Sequence, residues 1–259
     1  MDTLFIITAR GGSRGIPGKN IKMLGEQPLL HYSISFARQF TGDEHICLST
    51  DNEHIIRSAK KIGLKVPFIR PAYLATDHAG SYAVIRHAFR HYQAAGRHYD
   101  CVVLLQPTSP FRKKEHLEES YGLFGENTDM VVSVCESEAN PYFNLYEEND
   151  GGCLKISKGD TSFATRQSAP RVYRYNGSLY LIKPESLVKY ENFGEFRTVK
   201  KYVMDPKYSV DLDTPDQWEY AEFLWRGNFR SLITLADSRH AKGTPLFPQR
   251  PRNYFNGLG

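Results

Sequence analysis

At 259 residues the chain suits one large domain, or one domain with a smaller lobe attached. Its 41% hydrophobic and 24% charged content is that of a soluble globular protein. A net charge of +4 from dispersed cations excludes a nucleic-acid-binding stripe, and no apolar run approaches the ~20 residues of a membrane span. No basic, apolar, cleavable leader is visible, so the expected location is the cytoplasm. Cys47, Cys101, Cys135 and Cys153 form no C-x-x-C pair and are expected as reduced thiols.

Residues 4–8 are a short apolar strand candidate. They lead into Thr8-Ala9-Arg10-Gly11-Gly12-Ser13-Arg14-Gly15-Ile16-Pro17-Gly18-Lys19-Asn20. Glycines let backbone N–H groups approach an oxyanion, and Arg10, Arg14 and Lys19 add full positive charge. That composition points to phosphate binding. It fits neither standard loop: no G-x-G-x-x-G can be laid on these glycines, which argues against a dinucleotide-dependent reductase. Ser13 and Asn20 break the P-loop pattern at its first and last positions.

Residues 29–40 carry helical apolar spacing, 45–50 read as a strand, and 53–62 read as a helix ended by Gly63. A third strand is predicted over 66–69. A helix is predicted over 81–95, closed by Gly96. Residues 101–105 form a continuous apolar run, as in a central strand buried on both faces. Residues 114–124 read as helix and 130–134 as strand. This alternation predicts an α/β fold with a doubly wound, mostly parallel sheet, whose ligands bind beyond the carboxyl ends of the strands. His87 and His91 are four apart on a helix but lack the Glu of a zinc-protease helix.

The rhythm changes after Glu136. Residues 140–180 read as an inserted β-rich lobe, with the α/β domain expected over 1–139 and 181–228. Residues 198–204 and 208–212 read as strands, and 215–225 as a helix capped by Thr214. Residues 229–259 form a tail, with three prolines after Lys242, expected to be loosely held. Asp211 and Asp213 are two apart, so in an extended segment their carboxylates face one side. Taken alone, they read equally as a divalent-cation pair or as solvated acids beside a helix cap.

The stretch from Ala9 to Asn20 resembles the A-R-G-G-S-K-G-I-P-x-K-N signature of the CMP-sialic acid synthetase family, with Arg14 for the usual lysine. Four further stretches share the resemblance. Arg70 to Ser81 is similar to R-P-x-x-L-A-x-D-x-A-x-S, and Gln106 to Pro110 to the Q-P-T-S-P segment. Arg166 to Tyr180 is similar to R-Q-x-x-P-x-x-x-R-x-N-G-x-x-Y, and Asp211 to Thr214 to D-x-D-T. The similarity spans roughly residues 4–223.

The resemblance implies a cytidylyltransferase of nucleotidyltransferase, Rossmann-like fold. It would join CTP and a nonulosonic acid, releasing pyrophosphate. It implies Arg10, Gly11, Gly12, Ser13, Lys19, Asn20, Arg70, Ala79 and Ser81 on the nucleotide. Gln106, Arg166, Arg174 and Tyr180 are implied on the sugar acid, and Asp211 and Asp213 on Mg²⁺ or another divalent cation. Arg10 and Lys19, with the aspartates, would be catalytic. The family is dimeric, which implies a homodimer with residues 140–180 reaching toward the neighbour. One departure concerns the sugar: Tyr142 and Phe143 stand where bacterial sialic acid enzymes tend to carry a basic residue. N-acetylneuraminate, legionaminate, pseudaminate and the deaminated sugar all stay open. An octulosonate enzyme and a non-catalytic CMP-sugar-binding protein are the remaining alternatives.

Overall fold

The structure is a computed structural model that describes residues 1–159 and 163–229. In chain order it contains β1 (Thr3–Thr8), β2 (Met23–Leu24), β3 (Gln27–Pro28), α1 (Leu29–Arg38), β4 (Ile46–Ser49), α2 (Glu53–Lys61) and α3 (Ser81–Ala94). There follow β5 (Cys101–Leu105), α4 (Lys114–Leu123), β6 (Met130–Glu136), β7 (Tyr146–Glu148) and β8 (Leu154–Ile156). The rest is β9 (Tyr173–Ile182), α5 (Pro184–Lys189), β10 (Val199–Val203) and α6 (Pro215–Leu224).

One six-stranded sheet runs in the order β10-β6-β9-β5-β1-β4. β1 lies parallel to β4 and β5, and β10 parallel to β6, while β9 runs antiparallel between β5 and β6. The strand period of two splits β1 between two cores. Phe5 and Ile7 pack with Leu30 and Ile34 of α1, Ile55 of α2 and Leu117 of α4. Leu4 and Ile6 pack on the other face with Ile85 and Phe89 of α3 and Leu187 of α5. Both faces are therefore covered, which is why β5 reads as Cys-Val-Val-Leu-Leu with every residue buried. The α/β fold with a mostly parallel, doubly wound sheet is as expected.

Several boundaries differ from the sequence reading. Residues 66–69 form no strand. Pro67 has no N–H for a ladder, and only Arg70 N reaches β4's end, donating to Thr50 O at 2.8 Å. Phe68 packs instead between His87 and His91 of α3, which accounts for that histidine pair. Residues 208–212 also join no sheet. Pro206 opens a turn that Asp205 caps, and the chain then crosses the carboxyl ends of the strands.

Residues 173–180, expected in the inserted lobe, are the first part of β9 and lie in the central sheet. The excursion between β6 and β9 therefore spans residues 137–172, with β7 and β8 as its hairpin. The expected tail lies outside the described residues beyond position 229. All four cysteines are free thiols. Among the described residues no helix is long and apolar enough to cross a membrane.

Candidate active site

The glycine-rich loop leaves β1 at its carboxyl end. Ala9 N extends the parallel ladder by one bond to Ser49 O, at 3.0 Å. Gly11 N then donates to Asp51 Oδ1 at 3.0 Å, and Asn20 Nδ2 ties the loop back by donating to Arg10 O at 3.0 Å. This closure turns Arg10, Ser13, Arg14, Gly15, Lys19 and Asn20 toward a cavity of about 570 Å³. Gly11 and Gly12 are not in its lining and act as loop backbone. Gly15 passes so close to the Asp213 carbonyl that a Cβ would lie 1.9 Å from that oxygen.

The opposite wall carries the aspartates. Leu212 N donates to Thr108 O at 3.0 Å, so the Asp211–Asp213 segment is pinned to the loop after β5. Thr214 and Gln217 form a capping box that starts α6, and Gln217 Oε1 also accepts from Asp213 N at 2.7 Å. Lys19 Nζ, itself buried, donates to Leu212 O at 2.5 Å and to Asp213 Oδ1 at 2.7 Å. Burial pushes the Asp211 carboxyl above the usual range. A hydrogen bond with Thr108 opposes this, and the charge of Asp213 adds to it.

Asp211 Oδ1 is buried and has no hydrogen-bond partner among the described residues. A desolvated carboxylate oxygen beside a second carboxylate is a costly arrangement that a hard cation would relieve. Mg²⁺ characteristically takes one or two protein carboxylates and completes its octahedron with phosphate oxygens and water. The donor set of Asp211 and Asp213 fits that habit.

A further wall of the cavity is formed by the chain between β4 and α3. Arg70 is buried. Its Nε donates to Ser49 Oγ at 3.1 Å and its Nη2 to Ser49 O at 2.5 Å. Burial pulls its guanidinium down to about 10. Ala79 and Ser81 line the cavity with Leu74 and Val84. Ser81 is the first residue of α3, and Gly80 occupies the N-cap. Asp77 pairs with Arg10 at 2.6 Å and also with Arg14, closing a carboxylate bridge over the glycine-rich loop.

Beside the aspartates, Gln106 lines the cavity with Pro107 and Thr108. Its placement depends on Gly177 of β9, which has φ +72°. A Cβ there would lie 2.6 Å from Gln106 Oε1 and 2.8 Å from Ser109 Oγ. Arg166, Arg174 and Tyr180 are not in the cavity lining. Arg166 Nη2 donates to Glu138 O at 3.1 Å within the excursion. Arg174 Nη2 reaches Ser209 O at 3.4 Å, two residues before Asp211. Tyr180 is buried in β9, and its hydroxyl is raised to about 12, first by burial and then by the charge of Asp211.

The structure thus brings together every expected nucleotide-side residue except Gly11 and Gly12, plus Gln106 and both aspartates. It adds Thr8, Arg14, Gly15, Thr76, Asp77 and Thr108 to the lining. Arg14 was visible as a charge in the loop, and Asp77 and Thr108 sat inside stretches already singled out. Asp77 and Thr108 stand at fixed positions of those stretches, though no role is read for them from the sequence alone.

A cytidylyltransferase family model matches residues 4–234. The post-translational flagellin modification protein B of Campylobacter coli is 34% identical over 226 residues, covering 86% of this chain and 94% of that protein. The CMP-N,N'-diacetyllegionaminic acid synthase of Legionella pneumophila is 30% identical over 233 residues, 90% of this chain and all of that protein. A solved CMP:2-keto-3-deoxy-manno-octonic acid synthetase in complex with CTP superposes with a TM-score of 0.63 at 15% identity. It covers 87% of this chain and 99% of that one, a likeness of fold alone. The matched span takes in both walls of the cavity, from the loop after β1 to the segment before α6, and the chain belongs to the cytidylyltransferase family.

Proposed function

We propose that this chain activates a nonulosonic acid: CTP and a nine-carbon 2-keto sugar acid give the CMP-sugar and pyrophosphate. One observation carries the reading. A single cavity holds the cationic loop of Arg10, Arg14 and Lys19 on one wall and the Asp211–Asp213 pair on the other. The name of the Legionella relative supports a substrate of this class.

The anomeric hydroxyl attacks the α-phosphorus in line. A bond forms from that oxygen to phosphorus, the hydroxyl proton passes to solvent, and the bond from the α-phosphorus to the oxygen bridging it to the β-phosphorus breaks. The electron pair leaves on pyrophosphate. Arg10, Arg14 and Lys19 hold the β- and γ-phosphates and stabilise the charge that accumulates on them. Arg70 and Ser81 orient the nucleoside, and Gln106 offers an amide donor and acceptor to the sugar. Asp211 and Asp213 would hold the divalent cation, which supplies charge neutralisation at the phosphates and acidifies a hydroxyl bound to it. Lys19 keeps Asp213 oriented while its own charge faces the leaving group.

The excursion leaves Leu145, Tyr146 and Leu154 exposed, an apolar surface consistent with a homodimer built through the lobe. Sedimentation equilibrium tests this: a monomeric mass at micromolar concentration would refute it.

The reaction is tested by pyrophosphate release with CTP, Mg²⁺ and a panel of nonulosonic and octulosonic acids. Release with one nine-carbon acid is expected. CTP binding without release from any acid would favour a binding protein instead.

A further inference from the structure

Arg112 has an unusual set of partners for an arginine with a largely enclosed guanidinium. Its Nη2 donates to Gln106 O at 2.6 Å, its Nε to Ser178 O at 2.8 Å and its Nη1 to Ser33 Oγ at 3.1 Å. These acceptors come from the loop after β5, from β9 and from α1. No carboxylate pairs with Arg112 among the described residues, and burial alone pulls its guanidinium down to about 9. An enclosed cation without a counter-ion costs stability, and an apolar side chain of similar volume would avoid that cost. Arg112 is half-buried, with its guanidinium also over the Phe36 ring at 5.8 Å, and such an expense usually accompanies a functional constraint.

The constraint is legible in what the loop does next. Arg112 fixes the carbonyl at the loop's first residue. Two residues later Thr108 O accepts from Leu212 N at 3.0 Å, which pins the residue next to Asp211 to the same loop. A fork that clamps three elements at once therefore determines where Thr108 sits. Thr108 in turn fixes, through Leu212, the segment that carries Asp211, whose buried Oδ1 has no hydrogen-bond partner among the described residues.

We propose that Arg112 is a positioning residue, which acts through Thr108 to hold Asp211 in cation-binding geometry without touching substrate itself. The inference rests on the reading of Asp211 and Asp213 as a divalent-cation pair for the CTP complex. Outer partners that orient a metal-binding carboxylate characteristically contribute about 10- to 100-fold in metal affinity.

The test compares wild type, Arg112→Lys and Arg112→Met. Thermal melting reports the fold, calorimetry with CTP in chelator reports nucleotide affinity, and electron paramagnetic resonance titration with Mn²⁺ at saturating CTP reports cation affinity. Arg112→Met is expected to melt below wild type, because three acceptors lose their donor, and still to fold and to bind CTP within about threefold. Its Mn²⁺ affinity in the CTP complex should fall about tenfold or more, with Arg112→Lys between. Unchanged Mn²⁺ affinity in a folded variant would overturn the proposal. So would a loss of CTP binding and of the melting transition together with that of Mn²⁺, in Arg112→Met and Arg112→Lys alike, since that is the mark of a structural role. If Arg112→Met does not fold, Arg112→Lys decides. The titration stands apart from turnover: wild type that binds CTP and Mn²⁺ but activates no sugar acid would sink the proposed reaction and leave this inference to be judged on cation affinity.

Discussion

Lys19 and Asp213 stand 194 positions apart in the chain and meet at 2.7 Å, with Lys19 Nζ also donating to the Leu212 carbonyl at 2.5 Å. The contact joins the two walls of the cavity. It places a fixed positive charge between the phosphate loop and the carboxylate pair, so loss of either partner disturbs both.

Replacing Lys19 by Met leaves the Leu212 carbonyl without this donor and Asp213 without its counter-charge. A stability loss of about 1–3 kcal/mol is expected for a buried acceptor left unsatisfied. Pyrophosphate release should fall roughly 10²- to 10³-fold, as for other fixed donors aimed at developing charge. Chemical denaturation and steady-state rates measure the two effects separately. A variant with near wild-type turnover would remove Lys19 from the leaving-group side.

Asp211→Asn should separate stability from activity. Because burial raises the folded-state pKa of Asp211, its ionised form opposes folding. The penalty is absent below the unfolded-state pKa and complete above the folded-state value. Asp211→Asn is therefore expected to melt higher than wild type near pH 7, with the difference shrinking as pH falls through the carboxylate range. Turnover should drop by roughly two orders of magnitude or more. Melting scans across pH without metal check the sign, and a lower melting temperature at neutral pH would contradict it.

Gly15→Ala places a Cβ 1.9 Å from the backbone oxygen of Asp213, so one wall of the cavity has to move. Backbone cannot yield as a side-chain tip does, and the expected result is weaker CTP binding by roughly tenfold or more. Gly177→Ala meets Gln106 Oε1 and imposes φ +72° on alanine, a strain of about 1–3 kcal/mol. Calorimetry with CTP and denaturant melts distinguish these outcomes: affinity for the first, stability for the second.

Asp77 neutralises Arg10 and Arg14 where a triphosphate is expected to sit. Asp77→Asn frees both cations, and CTP affinity should rise roughly threefold at low salt, in keeping with the small worth of partly exposed pairs. Weaker binding would mean that the bridge orders the loop rather than competing with phosphate.

His116 contributes to the acid side of the stability profile. Its Nδ1 accepts from Lys113 N at 3.2 Å at the start of α4, which requires the neutral ring. Burial lowers its pKa to about 4. The unfolded chain therefore takes up a proton between about pH 6.5 and 4 that the folded chain refuses. Stability contributed by neutral His116 is complete above pH 6.5 and is lost as pH falls through that window. His116→Gln should flatten the decline there, as followed by denaturant midpoints.

The site was legible in unequal parts. The phosphate loop could be read because glycines and cations at one strand end serve no purpose in packing. Asp211 and Asp213 could be paired because strand spacing puts them on one side. The role of Asp77 was hidden although the residue stands in the stretch from Arg70 to Ser81, because a loop carboxylate has no periodicity and its meaning comes from Arg10 and Arg14 across the cavity. Arg112 was hidden for a related reason: its partners lie on three elements, and an arginine after a proline turn looks like any surface cation.

The sequence by itself determined the alternation of strands and helices, the two-sided burial of β5, the anion-binding character of the loop after β1 and the family resemblance. These are local properties, set by period, composition and turn chemistry. Only the tertiary structure decided that residues 173–180 enter the central sheet as an antiparallel strand, and that 66–69 and 208–212 stay outside it. Strand pairing depends on which edge is free and on where a missing N–H interrupts the ladder. The same holds for the cavity, since its two walls come from opposite ends of the chain and are brought together only when the sheet closes the distance between them.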